Sequence, residues 1–193
     1  MAPFIKNLLF LLLSLLSFAR TFALSPRADA NYQECIVPER FGVNDNVIIN
    51  DEQLTSSSAR PEFPAYNGRL GLHSKAWCAS TNNKSQWLQV DLRERKVLLA
   101  ITTEGTVDAW VTQYYLQYSN DMETWYCYGD EITNAKMLQA YQSSFTMTLL
   151  QRPIARYVRL NPQAWNGNIC LRFELYGCHI SQSQSSKLYK LAK

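Results

Sequence analysis

Residues 169–178 read ICLRFELYGC, and this stretch carries the pattern that decides the fold. Its apolar positions alternate with Arg172 and Glu174. Successive side chains of a strand point to opposite faces, so a period of two predicts a β-strand with one face on the core and the other in water. A cysteine lies near each end of the stretch, Cys170 and Cys178.

The same period recurs along the chain. The stretches are WLQVDL (87–92), VLLAI (97–101), YYLQYS (114–119), FTMTLL (145–150) and ARYVRL (155–160). Polar turns separate them, including the charged RERK at 93–96, and no long helical period intervenes. The pattern predicts an all-β, antiparallel sandwich or barrel. The 193 residues suffice for one ordinary domain, and eleven Tyr, eight Phe and five Trp favour strands.

The two ends of the chain differ from this pattern. A basic residue, Lys6, precedes the uncharged run LLFLLLSLLSFA (8–19), and small residues follow. The run is shorter than the roughly 20 residues that cross a bilayer, so we predict a cleaved secretory signal over 1–23. A short polar segment follows at 24–34, and we expect a flexible basic tail at 179–193. The mature chain is therefore expected to be secreted and extracellular.

Secretion makes the cysteines disulfide candidates. They are Cys35, Cys78, Cys127, Cys170 and Cys178. Five is odd, so at least one thiol is free or bonded to another chain, and 5 × 3 = 15 pairings of the other four stay open. No C-x-x-C pair occurs and the chain has two His, which argues against a zinc or redox site. The sequence NKS at 83–85 predicts a glycan on Asn83.

Charge and motifs exclude several function classes. The formal net charge is +3, with acids and bases interspersed, unlike a nucleic-acid binder. The chain has no Ser-His-acid pattern, no paired carboxylates for acid–base work and no Gly-rich phosphate loop. We therefore predict no catalytic residues, no cofactor and no metal site. Calcium dependence stays open, because turns contain Asp and Asn, such as Asn120 and Asp121, although no 12-residue calcium loop occurs.

Two connections are candidates for ligand binding. The loop at 50–70 is long and contains ARPEFPAY, and the connection TEGTVDAWVT spans 103–112. Long loops are often functional, and two such loops would form one surface if the sandwich brought them to one end. The candidate binding residues are Arg60, Glu62, Phe63, Thr106, Val107, Asp108 and Trp110. Phe63 serves equally well as an anchor for its loop, and Trp110 is better explained as a cap on the core.

Several motifs in order resemble one family. They are GRLG (68–71), AWCAS (76–80), QWLQVDL (86–92), TTEG (102–105), WVTQYYLQYSND (110–121) and RPIARYVRLNPQAWNGNICLRFELYGC (152–178). Together they strongly resemble the discoidin domain, also called the factor V/VIII type C domain, over about 35–178. The resemblance implies an eight-stranded jelly-roll β-sandwich with long binding loops at one end, in a family whose members bind rather than catalyse.

The resemblance also implies a cysteine pairing. In this family a cysteine before the first strand bonds the one that ends the domain, which here gives Cys35–Cys178. The pair Cys78–Cys170 resembles the arrangement in the discoidin domain receptors. Cys127 is then unpaired; a buried small thiol is the favoured interpretation, and an exposed thiol that bridges two chains is the alternative.

Three functions follow as expectations from the resemblance and the loops. The first is a secreted adhesion module that recognises a glycan or a matrix or cell-surface protein. The second is a peripheral binder of anionic phospholipid, and the third is a matrix subunit cross-linked through Cys127, so an oligomer is possible. Collagen binding in the receptors relies on a Trp and an Arg where this chain has Arg60 and Thr106, which puts that mode in doubt.

Overall fold

The structure is a computed structural model that describes residues 35, 37–72, 74–129 and 135–180. The predicted signal and the segment after it lie outside these residues, as does the tail beyond Ile180. The described chain contains ten strands: β1 (Glu39–Arg40), β2 (Leu54–Ser56), β3 (Trp77–Cys78), β4 (Leu88–Glu104), β5 (Trp110–Ser119), β6 (Tyr126–Cys127), β7 (Leu138–Gln139), β8 (Phe145–Thr148), β9 (Ile154–Asn166) and β10 (Cys170–His179). Two short 3-10 helices occupy Asp51–Gln53 and Ala65–Gly68.

All the strand pairings are antiparallel, and they form two layers. In the larger layer, β2, the first part of β4, β9 and β5 lie side by side, with β6 and β7 on β5. In the smaller layer, β10 lies between the second part of β4 and the short strands β1 and β3, and β8 lies on the other side of β4. The predicted all-β sandwich is confirmed. The described residues form ten strands where we expected eight, and four of the ten are only two residues long.

Strand β4 belongs to both layers. Its first residues pair with β9 as far as Asp91, and the pairing resumes at Lys96 after an irregularity. The RERK stretch that we predicted as a turn between two strands is instead the bend of one strand, and Arg93 takes a φ of 64° there. The bend lets one strand pass from one layer to the other.

The core fills the space between the layers. Its largest fully buried side chains include Trp77, Tyr114, Phe41 and Phe173. Residues with period two supply most of the rest, among them Leu88 and Val90 from β4, Leu116 from β5, Val158 and Leu160 from β9, and Leu171 and Leu175 from β10. The alternation therefore predicts the core-facing side of these strands.

The other face of β10 departs from the prediction. We expected Arg172 and Glu174 to be in water, but both are buried. Distant segments cover this face: the Glu174 carboxylate accepts hydrogen bonds from the N–H groups of Val43 and Asn44, at 3.0 and 3.1 Å, and Arg172 donates to the carbonyl of Leu72. Buried charges need such partners, and the covering segments supply them.

The structure contains both disulfides that the resemblance implies. Cys35 bonds Cys178 and Cys78 bonds Cys170, with sequence separations of 143 and 92 residues. Cys127 is unbonded and half-buried, and the side-chain amide of Gln117 lies 3.7 Å from its sulfur. In the part of the chain that is described, no helix is long and apolar enough to span a bilayer.

Candidate ligand-binding end

The two predicted loops meet at one end of the sandwich, at the Cys78–Cys170 disulfide. Both cysteines pack with Ala76 and Ala109 in a small buried cluster, and the half-buried ring of Phe63 lies against it. Phe63 belongs to the first loop and Ala109 to the second, so one apolar cluster and one disulfide hold both loops. This contact supports the anchor interpretation of Phe63, whose remaining surface is open at the end of the domain.

The first loop is a tight turn. The N–H of Phe63 donates to the carbonyl of Arg60 at 2.9 Å, and the two residues form an isolated β-bridge. Two further bonds tie the turn to β3: Arg60 N–H to the Cys78 carbonyl at 2.9 Å, and Cys78 N–H to the Phe63 carbonyl at 3.2 Å. Pro61 and Glu62 at the tip are exposed. The hydrogen bonds to Cys78 fix both ends of the loop, and Pro61 restricts its tip, so the loop is rigid.

Two asparagine side chains, Asn82 and Asn168, lie beside Arg60 at this end of the sandwich. The Arg60 guanidinium donates to the side-chain oxygen of Asn168 at 2.7 Å, and the Asn82 amide donates to the same oxygen at 3.0 Å. The Asn82 oxygen in turn accepts from the N–H of Ile169 at 3.0 Å. We call Arg60, Asn82 and Asn168 the polar cluster. Asn82 and Asn168 were not predicted, because only the fold brings them beside Arg60.

The second loop is closed by Thr106 and presents Val107. The Thr106 hydroxyl donates to the Ala109 carbonyl at 2.8 Å and accepts from the Ala109 N–H at 3.2 Å. These bonds occupy Thr106 inside the turn, whereas Val107 is 79% exposed and Asp108 is exposed. Trp110 is half-buried at the start of β5, consistent with the cap that we expected.

A third loop, which we did not predict, lies beside the second. The Gln142 side-chain amide donates to the Val107 carbonyl at 2.6 Å, and the Gly105 N–H donates to the Gln142 carbonyl at 3.0 Å. This loop presents an edge-to-face aromatic pair, Tyr141 and Phe145, which are 48% and 37% exposed. The signal in the sequence was two aromatic residues around a short polar turn. We call the three loops, 60–63, 105–109 and 140–145, together with the polar cluster, the loop end.

The loop end carries little net charge. Within the loop end and the adjacent residues 83 and 84, the charged side chains are Arg60, Glu62, Lys84 and Asp108, two of each sign, and residues 140–145 carry none. The surface is otherwise aromatic, apolar and uncharged polar. It therefore matches an uncharged ligand better than a strongly anionic one.

A buried arginine supports the loop end from below. The Arg172 guanidinium pairs with the Glu104 carboxylate at 2.9 Å and donates to the carbonyls of Leu72, Lys75 and Gly105. These partners belong to the connection before β3 and to the start of the second loop. Arg172 thus fixes the loop base without reaching the surface.

The groups with shifted pKa values lie in the strands and at other turns. They are Asp91, Tyr114, Asp121, Arg156, Arg159 and Glu174. Burial raises the pKa of Glu174 despite its hydrogen bonds from backbone N–H groups. Burial also raises the pKa of Asp91, but the hydrogen bonds from Arg156 and Arg93 outweigh it and the net pKa is lowered. Within the described residues, no group of three or more His, Cys, Asp or Glu side chains could hold a metal ion.

The fold is an antiparallel β-sandwich in which three loops lie together at one end. The model of the F5/8 type C domain matches residues 53–175. Retinoschisin of Mus musculus is 39% identical over 159 residues, which are 75% of this chain and 70% of that protein. The chain therefore belongs to the F5/8 type C domain family.

Other similar proteins extend this relationship. Lactadherin of Bos taurus is 37% identical over 158 residues, covering 72% of this chain but only 36% of that protein. Discoidin II of Dictyostelium discoideum has a similar structure, with a TM-score of 0.64 and 25% identity over 74% of this chain and 60% of that one. A family 32 carbohydrate-binding module from C. perfringens, solved in complex with galactose, has a TM-score of 0.56 at 14% identity, over 72% of this chain and 99% of that one, and shows the fold alone.

Proposed function

We propose that this protein is a secreted, non-enzymatic binding module that uses the loop end to recognise a glycan or a matrix or cell-surface protein. The observation that carries the proposal is the meeting of the first two loops at the Cys78–Cys170 disulfide, with the third loop hydrogen-bonded to the second. Family membership supports the class of function, and the two disulfides suit an oxidising extracellular environment.

The chemistry of the loop end supports an uncharged ligand. A planar guanidinium and two amides lie together in the polar cluster, and aromatic rings lie on the third loop. Sites for small ligands combine apolar and aromatic surface with a few fixed polar groups, and sugars and peptide surfaces offer the matching faces. The polar cluster is held by bonds of 2.7–3.0 Å between side chains, so it needs little ordering when a ligand arrives.

Anionic phospholipid is the second candidate. Val107 is 79% exposed and lies near exposed aromatic side chains, which favours insertion into a membrane interface. Glu62 and Asp108 oppose it, because carboxylates at the loop tips repel lipid phosphates. For this reason we place the lipid second.

The third expectation was a cross-linked subunit. Cys127 lies on β6, away from the loop end, and it is half-buried against Gln117. A bridge between chains through Cys127 would leave the loop end free, so it is compatible with the proposed binding function.

A screen of surfaces at two salt concentrations tests the proposal. The purified secreted chain is passed over immobilised neutral glycans, collagen, phosphatidylcholine vesicles and vesicles of equal parts phosphatidylcholine and phosphatidylserine. We expect retention on a glycan or protein surface that persists at high salt, because charge contributes little at the loop end. Retention only on phosphatidylserine, lost at high salt, would favour the lipid, and no retention on any surface would refute the proposal.

A further inference from the structure

The glycosylation sequence NKS lies in a well-fixed loop beside the loop end. The side-chain oxygen of Asn83 accepts from the Ser85 N–H at 2.9 Å and from the Gln86 amide at 3.1 Å. The Gln86 oxygen accepts from the hydroxyls of Ser57 and Ser58, at 2.8 and 2.5 Å. The loop is thereby tied to the segment that follows β2 and leads into the first binding loop.

The geometry of Asn83 is compatible with an attached glycan. Its side-chain nitrogen has two N–H groups, and within the described residues it donates one hydrogen bond, to the Thr81 hydroxyl at 3.1 Å. One N–H can therefore be replaced by a sugar while the other keeps its bond. The residue is exposed, so a glycan has room outside the fold.

The attachment point is one residue from the polar cluster. The neighbouring Asn82 donates to the Gly167 carbonyl at 3.4 Å and to Asn168, which also receives the Arg60 guanidinium. Consecutive Cα atoms lie about 3.8 Å apart, and a glycan is much larger than that. A sugar chain on Asn83 therefore begins at the rim of the loop end.

A glycan here also changes the charge that a ligand meets. Lys84, inside the glycosylation sequence, is exposed and is one of two cations in the charge balance of the loop end. A hydrated sugar chain beside it separates Lys84 from an anionic surface. The other cation, Arg60, is already engaged with Asn168.

We propose that Asn83 carries an N-linked glycan that selects ligands by shape: protruding chains reach the three loops, whereas the glycan keeps a flat bilayer away from them. The inference rests on the proposed function, since it takes the loop end as the ligand surface. Both the glycan on Asn83 and the residues of the loops then favour protruding ligands over membranes.

Two substitutions of one residue test the proposal. Ser85→Ala abolishes the glycosylation sequence but keeps the Ser85 N–H that bonds Asn83, whereas Ser85→Thr keeps the sequence and is the matched control. Both proteins are secreted from the same animal cells, and their masses are measured before and after enzymatic removal of N-glycans. We expect Ser85→Thr to lose mass on that treatment and Ser85→Ala to lose none.

The binding readout uses vesicles of equal parts phosphatidylcholine and phosphatidylserine. We expect the aglycosyl Ser85→Ala protein to be retained several-fold more than Ser85→Thr, and enzymatic deglycosylation of Ser85→Thr to give the same gain. An unglycosylated Ser85→Thr protein, or equal retention of both proteins, would overturn the inference. Retention on neutral glycans or collagen is measured in parallel, because its absence would refute the proposed function and not the shielding.

Discussion

The first prediction concerns Arg172, the buried arginine beneath the loop end. We expect Arg172→Met to lower the free energy of unfolding substantially, because methionine keeps an apolar stem but donates nothing. The substitution leaves the Glu104 carboxylate, which is 22% exposed, and the buried carbonyl of Gly105 without their donor. The carbonyls of Leu72 and Lys75 belong to exposed residues, so water can replace the guanidinium there.

The expected loss follows from these contacts. A charge-assisted hydrogen bond contributes about 1.5–3 kcal/mol, and an unsatisfied buried carbonyl costs about 1–3 kcal/mol. Taken together with the partial exposure of Glu104, they predict a loss of roughly 3–5 kcal/mol, within the range for breaking a buried ion pair. Such a loss is a large part of the about 5–15 kcal/mol that stabilises a typical domain.

Urea unfolding of the oxidised protein measures this loss, with Arg95→Met as the control because Arg95 is exposed at the bend of β4. Glu104→Gln completes a double-mutant cycle. It should destabilise the wild type but have little effect when Arg172 is already Met, because the pair is then absent. A loss below about 1 kcal/mol for Arg172→Met, or additive effects of the two substitutions, would refute the reasoning.

Three further predictions concern single sites. The lowered pKa of Asp91 means that the folded state favours its ionised form, so its contribution is present above the unfolded pKa and is lost as the pH falls through the folded pKa. Asp91→Asn should therefore destabilise by about 1–2 kcal/mol at pH 7, and thermal melts of variant and wild type should converge in acid; a constant gap would contradict this. Cys127→Ser should leave secretion and migration on non-reducing gels unchanged, whereas a wild-type dimer that disappears in the variant would reveal a bridge between chains. Gly105→Ala should weaken ligand retention and lower the melting temperature, because an added Cβ would lie 2.1 Å from the Cβ of Trp110; unchanged retention would show that the second loop is not needed.

The sequence predicts the strands and their inner faces because these depend on local alternation. A period of two in residues 87–92 or 155–160 needs no knowledge of the neighbours. The burial of Glu174 depends on Val43, which is 131 residues away in sequence, so no local pattern of β10 contains it. The bend in β4 was missed for a similar reason, since a charged stretch at a bend has the composition of a turn.

In the candidate site, too, some features follow from local sequence and others depend on contacts between distant segments. Length and composition located two loops, and the residue types indicated Arg60 and Phe63 in the first of them. The polar cluster required Asn82 and Asn168 to meet across 86 residues, and the third loop required Gln142 to meet Val107 across 35. These contacts come from strand pairing and the Cys78–Cys170 disulfide, and single-residue chemistry does not predict them.

The central claim is that ligands bind at the loop end. It is tested most directly by measuring the retention of loop variants on the surface that retains the wild type. Arg60→Ala and Phe63→Ala are the loop variants. The matched controls are Arg95→Ala, at an exposed arginine in the bend of β4, and Leu150→Ala, at an exposed apolar residue in the turn before β9. Urea unfolding of every variant separates lost binding from lost folding. We predict that each loop variant loses most of its retention while folded and that both controls keep theirs; full retention by folded Arg60→Ala and Phe63→Ala would contradict the assignment of binding to the loop end.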